Sequence, residues 1–160
     1  MRSVRFILPM IFLLIAFQNL NGQPPPPRPI KVTKTQDLSF GAFYQGGGGG
    51  TVTIIWNGTR SPGGTVVLFG VGGTAAIFEI VAHRGTVISF LKPTGSLSDG
   101  SGHSISLQIA SANPDTPFVT TNNLPTPTQV RIGGIIIIGT PLANPPGFYS
   151  GTFAMTFNQE

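Results

Sequence analysis

Few groups in this 160-residue chain are able to do acid–base or metal chemistry. There are two histidines, His83 and His103, and no cysteine. His103 ends a Ser98-Asp99-Gly100-Ser101-Gly102 run, which holds the residue types of a Ser-His-Asp nucleophile. That chemistry needs the base oriented by a third group on a rigid frame, with an oxyanion donor beside it. Three residues inside one Gly-rich turn lack such a frame, so the run reads as a solvated turn. Two distant histidines give no ligand spacing for zinc, and Asp99 and Asp115 are isolated where calcium wants clustered oxygens. The glycine tract Gly46–Gly50 precedes no Gly-Lys-Ser/Thr and opens no helix, so it reads as turns and bulges rather than a phosphate cradle. No catalytic residue, cofactor-binding residue or metal ligand is expected, and no cofactor. One aromatic set does offer a ligand platform: Trp56 near an exposed turn, with Tyr44 and Phe43, is of the type that stacks on sugars. The competing reading puts Trp56 in the core, where a lone tryptophan on an apolar strand usually packs.

The surroundings of these residues point outside the cytosol. Residues 1–22 open with Arg2 and Arg5, continue as an apolar stretch from Phe6 to Phe17 and end on Gly22. This is the pattern of a secretory signal, too short to span a bilayer at roughly 20 residues and interrupted by Pro9. The expected mature chain begins at Gln23 and has no membrane span. Residues 23–35 form an arm that starts Gln-Pro-Pro-Pro-Pro-Arg-Pro, a composition that favours an extended polyproline helix and projects or links the domain. Charged residues make up only 9% of the chain, against a typical quarter. Beyond position 36 the basic residues Arg60, Arg84, Lys92 and Arg131 are balanced by Asp37, Glu79, Asp99, Asp115 and Glu160. No basic stripe remains for phosphates, so nucleic acid is not an expected partner.

From 36 to 160 the pattern is all β. Ile30, Val32, Leu38 and Phe40 alternate with polar residues; Thr51–Trp56 is a strand of branched and aromatic residues, and Asn57-Gly58 a hairpin turn. Thr65–Phe69, Ala76–Ala82, Thr86–Leu91 and His103–Ala110 follow, separated by glycine-rich turns. The prolines of 113–128 predict a long loop or a broken edge segment. Gln129–Ile138 ends in four isoleucines and predicts a shielded strand, since an exposed one would template aggregation. Asn144-Pro145-Pro146-Gly147 is a turn. Tyr149, Gly151, Phe153, Met155 and Phe157 then alternate with polar residues as a final strand. No helical apolar stripe is present in the mature chain. The expected fold is an antiparallel β-sandwich of about seven to nine strands.

Leu38-Ser39-Phe40-Gly41-Ala42-Phe43 before a glycine tract, Gly64-Thr65-Val66-Val67-Leu68, and Arg131-Ile132-Gly133-Gly134-Ile135 leading to Gly147-Phe148-Tyr149-Ser150-Gly151-Thr152-Phe153 form an ordered set. Together they resemble the bacterial family of domains of unknown function numbered 4402, over roughly residues 36–159. Phe148 stands as an insertion where that family more often reads Gly-Thr-Tyr. The resemblance implies an exported immunoglobulin-like sandwich and carries no activity. The end of the chain is also similar to chaperone–usher pilins and spore-coat relatives, with alternating apolar residues and Gly147 fourteenth from the end. It departs from them in the penultimate Gln159 and in lacking a cysteine pair.

Three functions follow as expectations. The first is a structural or adhesive surface subunit, exported to the periplasm or cell surface, whose partner is a copy of itself or another surface subunit. Its strand-addition interface would join Ile30 and Val32 of one copy to Tyr149, Phe153, Met155 and Phe157 of another. The second is a monomeric carbohydrate- or protein-binding module using Trp56 and Tyr44 on a glycan. The third, a hydrolase, has no acid–base pair placed to serve it.

Overall fold

A computed structural model of the chain describes residues 29–160, so the expected signal and the polyproline part of the arm lie outside the described residues. These residues form no helix and twelve strands: β1 (Lys31–Gln36), β2 (Ala42–Tyr44), β3 (Gly50–Ile54), β4 (Arg60–Gly64), β5 (Val67–Phe69), β6 (Ala76–Val81), β7 (Val87–Phe90), β8 (Thr94–Ser98), β9 (Ser104–Asn113), β10 (Phe118–Val119), β11 (Thr128–Ile138) and β12 (Phe157–Gln159). All the pairings between them are antiparallel.

One layer is a seven-stranded sheet built around β11. On one side β11 pairs first with β6, up to Ile132 opposite Ala76, and then with β3, from Gly134 opposite Ile54. On the other side it pairs with β9, which carries β8 at the edge. The alternation of β9 decides its orientation: Ile105, Leu107 and Ile109 are buried while Ser104, Ser106 and Gln108 are exposed. Ile136 and Ile138 turn inward from β11 in the same way, whereas Ile137 stays 43% exposed. The isoleucine run is therefore shielded by central placement in the sheet, with both backbone edges paired, and not by burial of both faces.

The second layer is split. β10-β7-β12 packs Ile88, Phe90 and Phe118 on Ile80, Ile109, Val130 and Ile132. The two-stranded ribbon β2-β5 turns Phe43 and Leu68 toward Val52, Ile54, Ile136 and Ile138. The antiparallel sandwich is thus real, its interior filled by branched side chains each contributing about 2–3 kcal/mol on full burial.

Three details differ from the sequence reading. Twelve strands stand where seven to nine are expected, because β2, β4, β8 and β10 are short and lack apolar alternation. β4, with Pro62, sits at an edge of the sheet, where proline is tolerated, and β10 is a two-residue strand inside the proline-rich stretch. Second, residues 31–35 belong to the sandwich and not to the arm, since β1 pairs with β6 from Lys31 opposite Val81. Third, the final segment keeps its alternation but not its ladder. Tyr149, Phe153, Met155 and Phe157 are half-buried and Ser150, Thr152, Ala154 and Thr156 exposed, yet only Phe157–Gln159 forms a strand. The segment leaves the edge of the large sheet at Ser150, bridged to Ser98, and joins β7 at Phe157, opposite Phe90. Between them it crosses from one layer to the other: residues 151–153 still pass close to Gly95–Leu97 of β8, but 151–156 lie in no ladder.

Candidate functional site

The split in the second layer leaves a groove of about 690 Å³. Its floor is apolar and comes from three strands of the large sheet: Leu97 of β8, Ile105 and Leu107 of β9, Ile136 and Ile138 of β11. One wall is the segment 38–45, which includes β2, and the other is the segment 144–153. The volume falls in the range of small-ligand and peptide-anchor sites.

Each wall is fixed by identifiable contacts. Ser39 exchanges two backbone hydrogen bonds with Thr74 (2.9 and 2.8 Å), and Phe40 is buried beside it. The Gln45 side-chain amide donates to the Gly139 carbonyl, which closes one end. Across the groove, Asn144 is 5% exposed and uses both ends of its amide. Its Nδ2 donates to the Ser104 carbonyl at 2.8 Å, and its Oδ1 accepts from the Gly139 amide at 2.6 Å. The Tyr149 hydroxyl donates to the Pro145 carbonyl at 2.9 Å. Burial pushes the Tyr149 hydroxyl above its ordinary pKa, with the Asp99 charge adding to the rise and the Asn144 hydrogen bond opposing it. Gly151 is required by close approach: a methyl group there would collide with the Ser96 carbonyl oxygen and lie 3.3 Å from the Leu97 Cα.

Asn144→Ala should loosen this wall. It removes the partners of the part-buried Gly139 amide and Ser104 carbonyl at once, a loss of about 1–2 kcal/mol. Urea unfolding should show it, and amide exchange should speed up across 139–149 before the rest of the fold.

The sequence-expected residues are dispersed. Ile30 packs against the cluster under β7 and β10, and Val32 is exposed on β1. Within the chain, Ile30 thus packs on its own core and Val32 lies in a strand paired with β6. Tyr149 and Phe153 line the groove, while Met155 and Phe157 pack on the other core cluster. Trp56 is 38% exposed in the β3–β4 hairpin loop, so its core reading is corrected. Tyr44 is 61% exposed and meets Phe69 edge-on, with ring centroids 5.2 Å apart. The ring partner of Tyr44 is thus Phe69, not Trp56.

In the 98–103 turn, Asp99 accepts from the Ser101 amide (2.7 Å), the His103 amide (3.1 Å) and His103 Nδ1 (2.7 Å). The Ser101 amide holds the carboxyl below the ordinary range, helped by the His103 contacts and opposed by burial. Ser101 enters this cluster through its backbone amide, and the Ser98 hydroxyl accepts from the Gly100 amide at 3.0 Å, so the geometry is that of a stapled turn. Among the described residues, no three His, Cys, Asp or Glu side chains group as metal ligands, and no helix is long and apolar enough to cross a membrane.

What the sequence reading missed is Arg60. Its Nη1 donates to the Phe40 and Ala42 carbonyls (3.0 and 3.2 Å) and its Nη2 to those of Phe69 and Gly70 (3.2 and 2.9 Å). One guanidinium thus ties the groove wall and the β2-β5 ribbon to β4. The only sequence signal is scarcity, as Arg60 is one of four cations beyond position 36.

Fold and groove together define an antiparallel sandwich domain with one continuous and one divided layer. The chain belongs to the family described as domain of unknown function (DUF4402), whose model matches residues 30–158. That span runs from the residue before β1 into β12, so it includes both walls of the groove. No curated protein and no solved structure matches the chain.

Proposed function

We propose that this protein is an exported, non-catalytic structural or adhesive domain that works by holding an extended polypeptide segment of a partner in the groove. The observation that carries this reading is the divided second layer. Its two halves leave a slot floored by core residues, and the wall between Ser150 and Phe157 lies in no ladder. An added segment would find the exposed Phe148 ring and the half-buried Tyr149 and Phe153 rings beside it and backbone outside any ladder, the two requirements of extended-peptide recognition, while the floor residues Ile105, Leu107, Ile136 and Ile138 stay sealed at 1–3% exposed. Export is supported by the basic, apolar and small-residue order of positions 1–22. The low charge and the want of an acid–base pair on a rigid frame favour binding over turnover.

A random peptide library selected on the protein tests the reading. Extended peptides rich in apolar residues or proline should emerge, protect the amides of 38–45 and 144–153, and bind about tenfold or more weakly to Phe148→Ser. Material recovered from the culture medium or cell envelope should begin at Gln23. A library that yields no binder, or binders that all map elsewhere, defeats the proposal. Glycan binding has one observation in its favour, the exposed Tyr44, Val67 and Phe69 on the outer face of the β2-β5 ribbon. Sugar binding lost in Tyr44→Ala or Trp56→Ala would favour that reading instead.

A further inference from the structure

We propose that the occupant of the groove is the proline-rich segment Gln23–Pro29 of a second copy of this chain. The inference rests on the reading of the groove as a segment-binding site, and three observations name the segment. The first is chemical. The walls carry Phe43, Phe148 and Tyr149 together with Pro145 and Pro146, and Phe148 is 99% exposed. Segments with four successive prolines lack backbone donors and cannot enter a ladder; they dock instead on aromatic-lined grooves at small entropic cost, because the chain is already extended.

The second observation is reach. The arm joins the sandwich at β1, where Val32 lies opposite Ile80, and Ile80 lies opposite Thr128 of β11. The groove floor on β11 is Ile136 and Ile138. Eight to ten residues along one strand separate the two, about 26–33 Å. The seven residues of the segment span about 22 Å as a polyproline helix. The segment is therefore too short to reach the Ile136 and Ile138 floor of its own groove, although the near end of that groove, at Leu38, lies within reach, so full occupation calls for a neighbour's segment. Donation from each copy to the next would extend from copy to copy, and reciprocal exchange between two copies would close a dimer.

The third is charge. Arg28 is the one charged residue of the segment. Asp99, next to the Ser98 that bridges Ser150 of the groove wall, puts negative charge near that end, although its carboxylate is already bonded to Ser101 and His103.

The test uses the synthetic peptide Gln23–Pro29 and the isotope-labelled protein. Shifts should be confined to amides of 38–45 and 144–153, and Phe148→Ser should weaken binding about tenfold or more. In the protein itself, changing Pro24, Pro25, Pro26 and Pro27 to serine should abolish concentration-dependent self-association in sedimentation velocity and leave the unfolding midpoint unchanged. Absence of shifts at millimolar peptide, shifts centred on Trp56 or on the outer face of β2-β5, or self-association that survives the proline changes would overturn the proposal. Library peptides that occupy the groove while the arm peptide stays silent would remove this occupant and leave the segment-binding reading standing.

Discussion

Gly133→Ala should lower the stability of the domain by about 3 kcal/mol, the upper end of the usual cost of overpacking. The reason lies in the seam of the large sheet. β11 exchanges its partner β6 for β3 between Ile132 and Gly134, and its register with β9 shifts between Gly133 and Gly134. A methyl group at 133 would collide with the Ile54 carbonyl oxygen, and would lie 2.6 Å from Ser111 Oγ and 2.7 Å from the Ile55 carbonyl carbon. Two of those three obstacles are backbone and cannot rotate away. The urea midpoint should fall by about 1–2 M with the slope unchanged. Ser111 Oγ is buried without a hydrogen-bond partner among the described residues, so Ser111→Ala should be nearly neutral alone and recover a minor part of the loss in the double variant. Gly47→Ala, in the glycine tract where nothing lies within 4 Å of an added methyl, should leave the midpoint within about 0.5 kcal/mol of the starting protein. An equal loss at 133 and 47 would sink the close-approach argument.

Arg60→Met should cost about 2–3 kcal/mol and loosen one region ahead of the rest. A two-stranded ribbon is marginal on its own. β2-β5 is held to the body by the inward Phe43 and Leu68 and by the guanidinium that bonds the Phe40, Ala42, Phe69 and Gly70 carbonyls. Methionine keeps most of the stem's packing but orphans the acceptors, and bonds to a charged donor are worth about 1.5–3 kcal/mol. Arg60→Lys should recover less than half of the loss, because an ammonium cannot span four carbonyls in a fork. Exchange of the β2 and β5 amides should rise well before that of β9 and β11. Uniform acceleration across all strands would show that Arg60 stabilises the fold without anchoring the ribbon.

The two variants touch the features that were hardest to read in advance. The alternation of Ile105, Leu107 and Ile109 states in the sequence which face of β9 is buried, and the same holds for Tyr149 to Phe157. Asn57-Gly58 likewise announces the loop joining β3 to β4, where Thr59 N donates to Asn57 Oδ1. The short edge strands gave no such signal, since Arg60–Gly64 and Thr94–Ser98 are recruited by their neighbours and not by their own side chains. Of the site, the aromatic candidates Tyr149 and Phe153 were visible as residues, but not their assembly around one groove, nor the place of Tyr44 on the outer face of the ribbon. Ile30 and Val32 were visible as a strand, but not the identity of its partner.

From sequence alone came an all-β chain, the faces its residues turn inward, and the scarcity of reactive groups. These are local properties: side chains alternate with a period of two whatever strand lies alongside. Which backbone edges meet is a matter of long-range pairing, and there the tertiary structure alone decided. It kept β1 in its own sheet, carried residues 151–156 from one layer to the other, and opened the groove between the halves of the divided layer.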